Sequence, residues 1–163
     1  MENLIIRKIE ETDNKPLAKL IRDVFEEYDA LRIGTVFSDP TTDDLYTLFK
    51  ETGSVLWVAI LDNEILGCCG IYATEGLPKD CAELAKFYLK KEARGKGTGK
   101  QLMQKCFQSS IEIGYKQLYI ESLPKFSQAV NMYEKYGFTK LHKPLGNSGH
   151  TSCNIWMIKE LTL

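Results

Sequence analysis

Residues Ala93–Lys100 read A-R-G-K-G-T-G-K and set three glycines and three cations in eight positions, directly ahead of the run Q-L-M-Q-K-C-F-Q. Glycine ahead of a helix loses much backbone freedom on folding and packs nothing, so the pattern implies a use for bare backbone there. Upstream, Cys81–Leu89 is a strand-like run. Downstream, a helix is expected from about Gly97 to Ile113, ending at Gly114. A loop from a strand's end to a helix's start presents free amides and a positive dipole end, and together these favour phosphate.

Two familiar phosphate loops do not fit. A P-loop needs glycine and serine or threonine where this chain has Arg94 and Gln101. The dinucleotide fingerprint meets Lys100 or Met103 in place of its last glycine.

The chain has 163 residues, 44% hydrophobic and 26% charged, which suits one domain over residues 1–163. With 21 basic and 22 acidic residues the net charge is -1, so no broad field attracts nucleic acid or an anionic membrane. The five cysteines, Cys68, Cys69, Cys81, Cys106 and Cys153, lack paired C-x-x-C spacing and read as reduced thiols, with no metal site expected. With no signal core at the N-terminus and no bilayer-spanning apolar run, the expected location is the cytoplasm and no membrane partner is expected.

Working outward, Leu4–Ile9 is expected as a strand, and Leu17, Leu20, Ile21, Val24 and Phe25 recur at helical spacing after Asn14 as N-cap. A second helix is expected after S-D-P-T-T-D-D, with Thr41 or Thr42 capping. Val55–Leu61 and Ile65–Ala73 read as a hairpin across D-N-E. Lys116–Glu121 is a strand, Phe126–Tyr136 a helix, Gly137–Leu141 a short strand, and His150–Lys159 alternates well enough to close the sheet. A right-handed crossover makes the strands flanking the long helix parallel neighbours.

The spacing Arg94-x-x-Gly97-x-Gly99 resembles the pyrophosphate loop of the GNAT superfamily of acyl-CoA-dependent N-acyltransferases, and A-V-N-M-Y-E-K-Y-G-F resembles that family's next helix. The specific motifs lie within about residues 81 to 140. The resemblance implies an α/β (α+β) fold: a mixed central sheet of about seven strands, with splayed parallel middle strands, flanked by about four helices. It also implies acetyl-CoA as co-substrate and an amine acceptor. By that likeness, the backbone of Phe87 and Leu89 pairs with pantetheine, and the amides of Arg94, Gly95, Lys96, Gly97, Thr98, Gly99 and Lys100 wrap the pyrophosphate. The side chains of Arg94, Lys96 and Lys100 add charge-assisted contacts.

Glu83 stands eleven residues before Arg94, where family members with a strand glutamate carry their general base. Tyr133, four before Gly137, matches the family's general acid toward sulfur, and a phenol is protonated at neutral pH. Where relatives place a pantetheine-holding asparagine, this chain has Phe126, and Asn131 on the same helix is the substitute. His142 and His150 show no spacing for metal binding or nucleophile activation and receive no role.

The acceptor's approach is expected over Tyr28, Phe37, Asp39, Asp43, Asp44, Tyr46 and Glu75, a set suited to a cationic amine. The favoured activity is acetyl transfer to a small primary amine. Acetylation of a protein lysine or N-terminus, and non-catalytic acyl-CoA binding, are the alternatives. A homodimer through Thr151–Lys159 is a further partner the pattern allows.

Overall fold

The computed structural model describes residues 3–162. Its centre is a seven-stranded sheet in the order β1-β2-β3-β4-β5-β7-β6. The strands are β1 (Leu4–Lys8), β2 (Val55–Leu61), β3 (Glu64–Tyr72), β4 (Cys81–Leu89), β5 (Gln117–Ser122), β6 (Thr139–Leu141) and β7 (Ile155–Glu160). Among the described residues only β4 and β5 are parallel, and every other pairing is antiparallel. The helices are α1 (Asn14–Glu27), α2 (Leu45–Leu48), α3 (Thr98–Ile113) and α4 (Ser127–Lys135).

Both faces of the sheet are covered. On one, α1 buries Leu17, Leu20, Ile21, Val24 and Phe25 against Leu56, Val58 and Cys68, each large side chain stabilising the fold by about 1.5–3 kcal/mol. On the other, Leu102, Met103 and Cys106 of α3 join Val130 and Tyr133 of α4 over Ala82, Leu84, Leu118 and Ile120. The β2–β3 hairpin turns at Asp62 and Asn63, whose φ values of 50° and 66° match the right-handed twist of the strands.

Several local expectations are corrected. The second helix is a 3-10 turn, Pro40–Asp43, followed by the single turn α2, and Asp39 and Asp44 cap them in place of Thr41 or Thr42. Asp accepts the amide two or three residues on, which leaves Thr42 free to donate to the Val36 carbonyl at 2.6 Å. Asn14 begins α1 and ties it to α2, donating to Asp44 at 2.9 Å and accepting from the Tyr46 amide at 2.9 Å. The last strand starts at Ile155, and His150–Asn154 belongs to the connection before it.

One irregularity positions the site. Strands β4 and β5 pair only from Cys81–Glu83 to Gln117–Tyr119, although β4 continues to Leu89 and β5 to Ser122. Beyond Glu83 they diverge. In the same stretch β4 carries one extra residue against β3, since Gly70 faces Ala85 while Cys68 faces Tyr88.

Candidate active site

The divergence of β4 and β5 opens a cleft of about 280 Å³. Gly95, Gly97, Gly99 and Lys100 lie at one end, Phe87, Leu89 and Tyr133 along it, and Glu83 and His150 at the other. At the loop end, the amides from Gly95 to Lys100 find no protein acceptor among the described residues, and the first helical bond of α3 runs from the Gln101 amide to the Gly97 carbonyl at 3.0 Å. Gly97, at the N-cap, has φ +85° and no capping side chain. A Cβ built on Gly95 or Gly97 would meet nothing within 4 Å, so both backbones face open space. Orphaned amides, a sixteen-residue helix and a bare backbone approach fit a diphosphate.

The Arg94 side chain does other work. Its guanidinium makes paired bonds of 2.5 and 2.9 Å to Glu27, donates to the Leu89 carbonyl at 2.9 Å, and lies 5.1 Å from the Tyr28 ring centre. It therefore straps the loop to the end of α1. Arg94 also lines the cleft, and the Leu89 carbonyl is shared with that strap. Lys100 lines the cleft. Thr98 is buried in the helix start, whereas Lys96 and Asn131 are exposed and line neither cleft. Asn131 is thus not brought to the site. Phe126 occupies that wall instead, edge-on to Phe25 at 5.1 Å and to Tyr28 at 5.7 Å.

At the far end Glu83 is 6% exposed and accepts a 2.8 Å bond from the Thr74 hydroxyl. Burial raises its pKa from 4.5 to about 7; nearby Glu121 adds to the rise, and Lys86 and Thr74 oppose it. Tyr133 is 6% exposed, and burial holds its phenol far above the usual range, so it remains a proton donor.

The structure adds His150 and Lys86. His150 Nε2 lies 2.8 Å from Asp39 Oδ2, across 111 residues of chain. Burial lowers the His150 pKa below 6.5, Lys86 adds to this, and Asp39 opposes it. The neutral ring then donates through Nε2 and keeps a lone pair on Nδ1. Burial alone would raise Asp39, but bonds from Thr41 and His150 outweigh it and hold the carboxylate low.

Lys86 sits at the extra residue of β4 with φ +58°, a left-handed conformation that costs about 1–2 kcal/mol for a side chain with a Cβ. Before it, Ala82 and Leu84 face α3; after it, Phe87 and Leu89 take that face. The insertion lets Glu83, Ala85 and Lys86 all line a second cleft of about 370 Å³. The Cys68 thiol donates to the Lys86 carbonyl at 3.0 Å and fixes the bulge.

The second cleft meets the first at Glu83, Lys86 and His150, and its remaining wall includes Asp39, Glu51, Tyr72 and Glu75. The β6–β7 connection borders it, with the Asn147 amide bonded to the Glu75 carbonyl at 2.7 Å and the Ser152 amide to the Gly34 carbonyl at 3.1 Å. Ser148 also bonds to Glu121, whose other oxygen accepts from Tyr119 at 2.7 Å.

Of the expected acceptor set, Asp39 and Glu75 line this cleft and Tyr28 lines the first. The others are engaged elsewhere. Asp43 pairs with Arg22 at 2.6 and 3.1 Å, Asp44 caps α2, Tyr46 lies beneath the Lys50 ammonium at 4.5 Å, and Phe37 packs on Phe25. His142 is exposed and lines neither cleft.

A splayed parallel strand pair, an amide-rich loop and a buried glutamate are the parts of an acyltransferase of the kind the loop motif resembles. The chain belongs to the acetyltransferase (GNAT) family, whose pattern matches residues 18–138. It is 33% identical over 158 residues to the Escherichia coli (strain K12) protein called uncharacterized N-acetyltransferase YjgM, covering 96% of this chain and 95% of that one. A GNAT-family acetyltransferase from Staphylococcus aureus Mu50 superposes with TM-score 0.85 at 20% identity, covering 98% of this chain and 100% of that one. The PaiA N-acetyltransferase of Thermoplasma acidophilum, solved in complex with coenzyme A, superposes with TM-score 0.73 at 17% identity, covering 97% and 99%. Among the described residues no helix is long and apolar enough to cross a membrane.

Proposed function

We propose that this chain transfers the acetyl group of acetyl-CoA to a primary amine of a small molecule, by direct attack within a ternary complex. The carrying observation is the run of unsatisfied amides from Gly95 to Lys100 at the mouth of a cleft that ends at buried Glu83. Those amides and Lys100 hold the diphosphate, and the free edge of β4 from Phe87 to Leu89 guides the pantetheine arm. Acetyl-CoA brings the activated thioester. Glu83 takes the proton that the acceptor ammonium must lose, directly or through a water; the freed amine forms the new C–N bond as the C–S bond breaks, and Tyr133 gives its proton to the departing sulfur.

A carboxylate with a pKa of about 7 suits that exchange near neutral pH. Asn147 and Glu75, tied by a main-chain bond, both line the second cleft, and such a bridged wall suits a small acceptor better than a peptide lying in an open groove.

Thiol release from acetyl-CoA, followed over amines, amino acids and peptides, tests this reading. Turnover is expected with a small amine. Glu83→Gln should lower kcat by about 10²–10⁴-fold, the usual worth of a general base, with coenzyme A affinity within a factor of three of wild type. Full activity in Glu83→Gln would remove the base from this residue, and turnover confined to peptides would overturn the small-molecule assignment.

A further inference from the structure

We propose that Lys86 receives a carboxylate of the acceptor, so that the acceptor is an amino acid or a similar small amino carboxylate. This rests on the acetyl-transfer reading and specifies its second substrate. Lys86 is 8% exposed, yet among the described residues its ammonium makes no hydrogen bond and lies beyond ion-pair distance of every carboxylate. Its tip reaches the space of both clefts with no carboxylate among the described residues to pair with, a position that suits an anion arriving from outside. Lys86 lines the acceptor cleft within the same short stretch of β4 as Glu83.

The backbone is bent to achieve this. A regular strand would turn residue 86 toward α3, with Ala82 and Leu84; the bulge with its positive φ turns it onto the face of Glu83. Unlike Asp62 and Asn63, which turn a hairpin, Lys86 holds this conformation within a strand beside a cleft, where such strain clusters at functional positions. A simple amine would leave Lys86 unpaired and would add a second cation beside it. An amino carboxylate presents its ammonium to Glu83 and the neighbouring acids and its carboxylate to Lys86, and each charge gains a partner.

The test compares each standard L-amino acid with its amide and with its decarboxylated amine, measuring kcat and KM for wild type, Lys86→Met and Lys86→Arg. Coenzyme A affinity by calorimetry and the melting temperature are followed in parallel. For wild type, the best free amino acid is expected to exceed its amide in kcat/KM by 30-fold or more. In Lys86→Met that preference should fall below threefold, through a rise in KM for the free acid with little change for the amide, and Lys86→Arg should recover part of it.

Turnover of amides or plain amines as efficient as that of free acids by wild type would overturn the assignment while leaving acetyl transfer intact. So would an equal drop in kcat for acids and amides in Lys86→Met, which would place Lys86 at the thioester. Absence of coenzyme A binding by wild type would remove the acetyl-transfer reading and this inference with it. The wild-type comparison decides the matter even if Lys86→Met does not fold.

Discussion

Glu83 carries two opposed consequences of burial. With a folded-state pKa of about 7 against 4.5 for a free carboxyl, it holds a proton that the unfolded chain releases between those values. Stability should therefore fall as pH rises from about 4.5 to about 7, and the penalty, about 3 kcal/mol at 1.36 kcal/mol per unit, is complete above that window. Glu83→Gln, which keeps an acceptor for Thr74, should melt several degrees above wild type at pH 8 and near wild type at pH 5. In the active enzyme, kcat/KM should climb through an ionisation near pH 7 that survives His150→Gln. A limb below pH 6.5 that vanishes in His150→Gln would give the base role to the imidazole, whose pKa lies lower. Glu83 and Tyr133 could be singled out only through the family resemblance, which places a base and an acid at those positions. His150 and Lys86 could not be: one depends on a contact spanning 111 residues, the other on a one-residue register shift.

At the scale of elements, the loop before α3 is held by the end of α1. Glu27 closes α1 near the negative end of the helix dipole, where a carboxylate is poorly placed, and the Arg94 fork offsets this while tying down the loop. If Arg94 acts as a strap, Arg94→Ala and Glu27→Gln should weaken coenzyme A binding alike, by about 1 kcal/mol or fivefold in calorimetry. If the guanidinium instead bound the diphosphate directly, Glu27→Gln would release it and tighten binding. The strong elements were legible because their periodicity is long: α1 and α3 each span several turns with apolar residues on one face. The second helix was not, since a chain capped twice in quick succession, by Asp39 and Asp44, yields two single turns. The late strand was overextended because alternation continues through His150 and Ser152, which instead meet Asp39 and Gly34.

For the molecule as a whole, the clefts lie at two neighbouring irregularities in the sheet: β4 and β5 stop pairing at Glu83 and Tyr119, and β4 gains a residue against β3 just beyond. The parting supplies a channel from the α3 N-terminus to Glu83, and the bulge turns Lys86 toward the second cleft. The parting itself was expected from the family resemblance, whereas the bulge has no local signature, since nothing in K-F-Y-L marks a positive φ at Lys86. On the proposed reading, main-chain donors from Gly95 to Lys100 bind the diphosphate of coenzyme A. Amide hydrogen exchange with and without coenzyme A tests it most directly. The account predicts fast exchange across residues 95–100 in the free protein and slowing of tenfold or more on saturation; exchange there that is unchanged while coenzyme A is bound would contradict it.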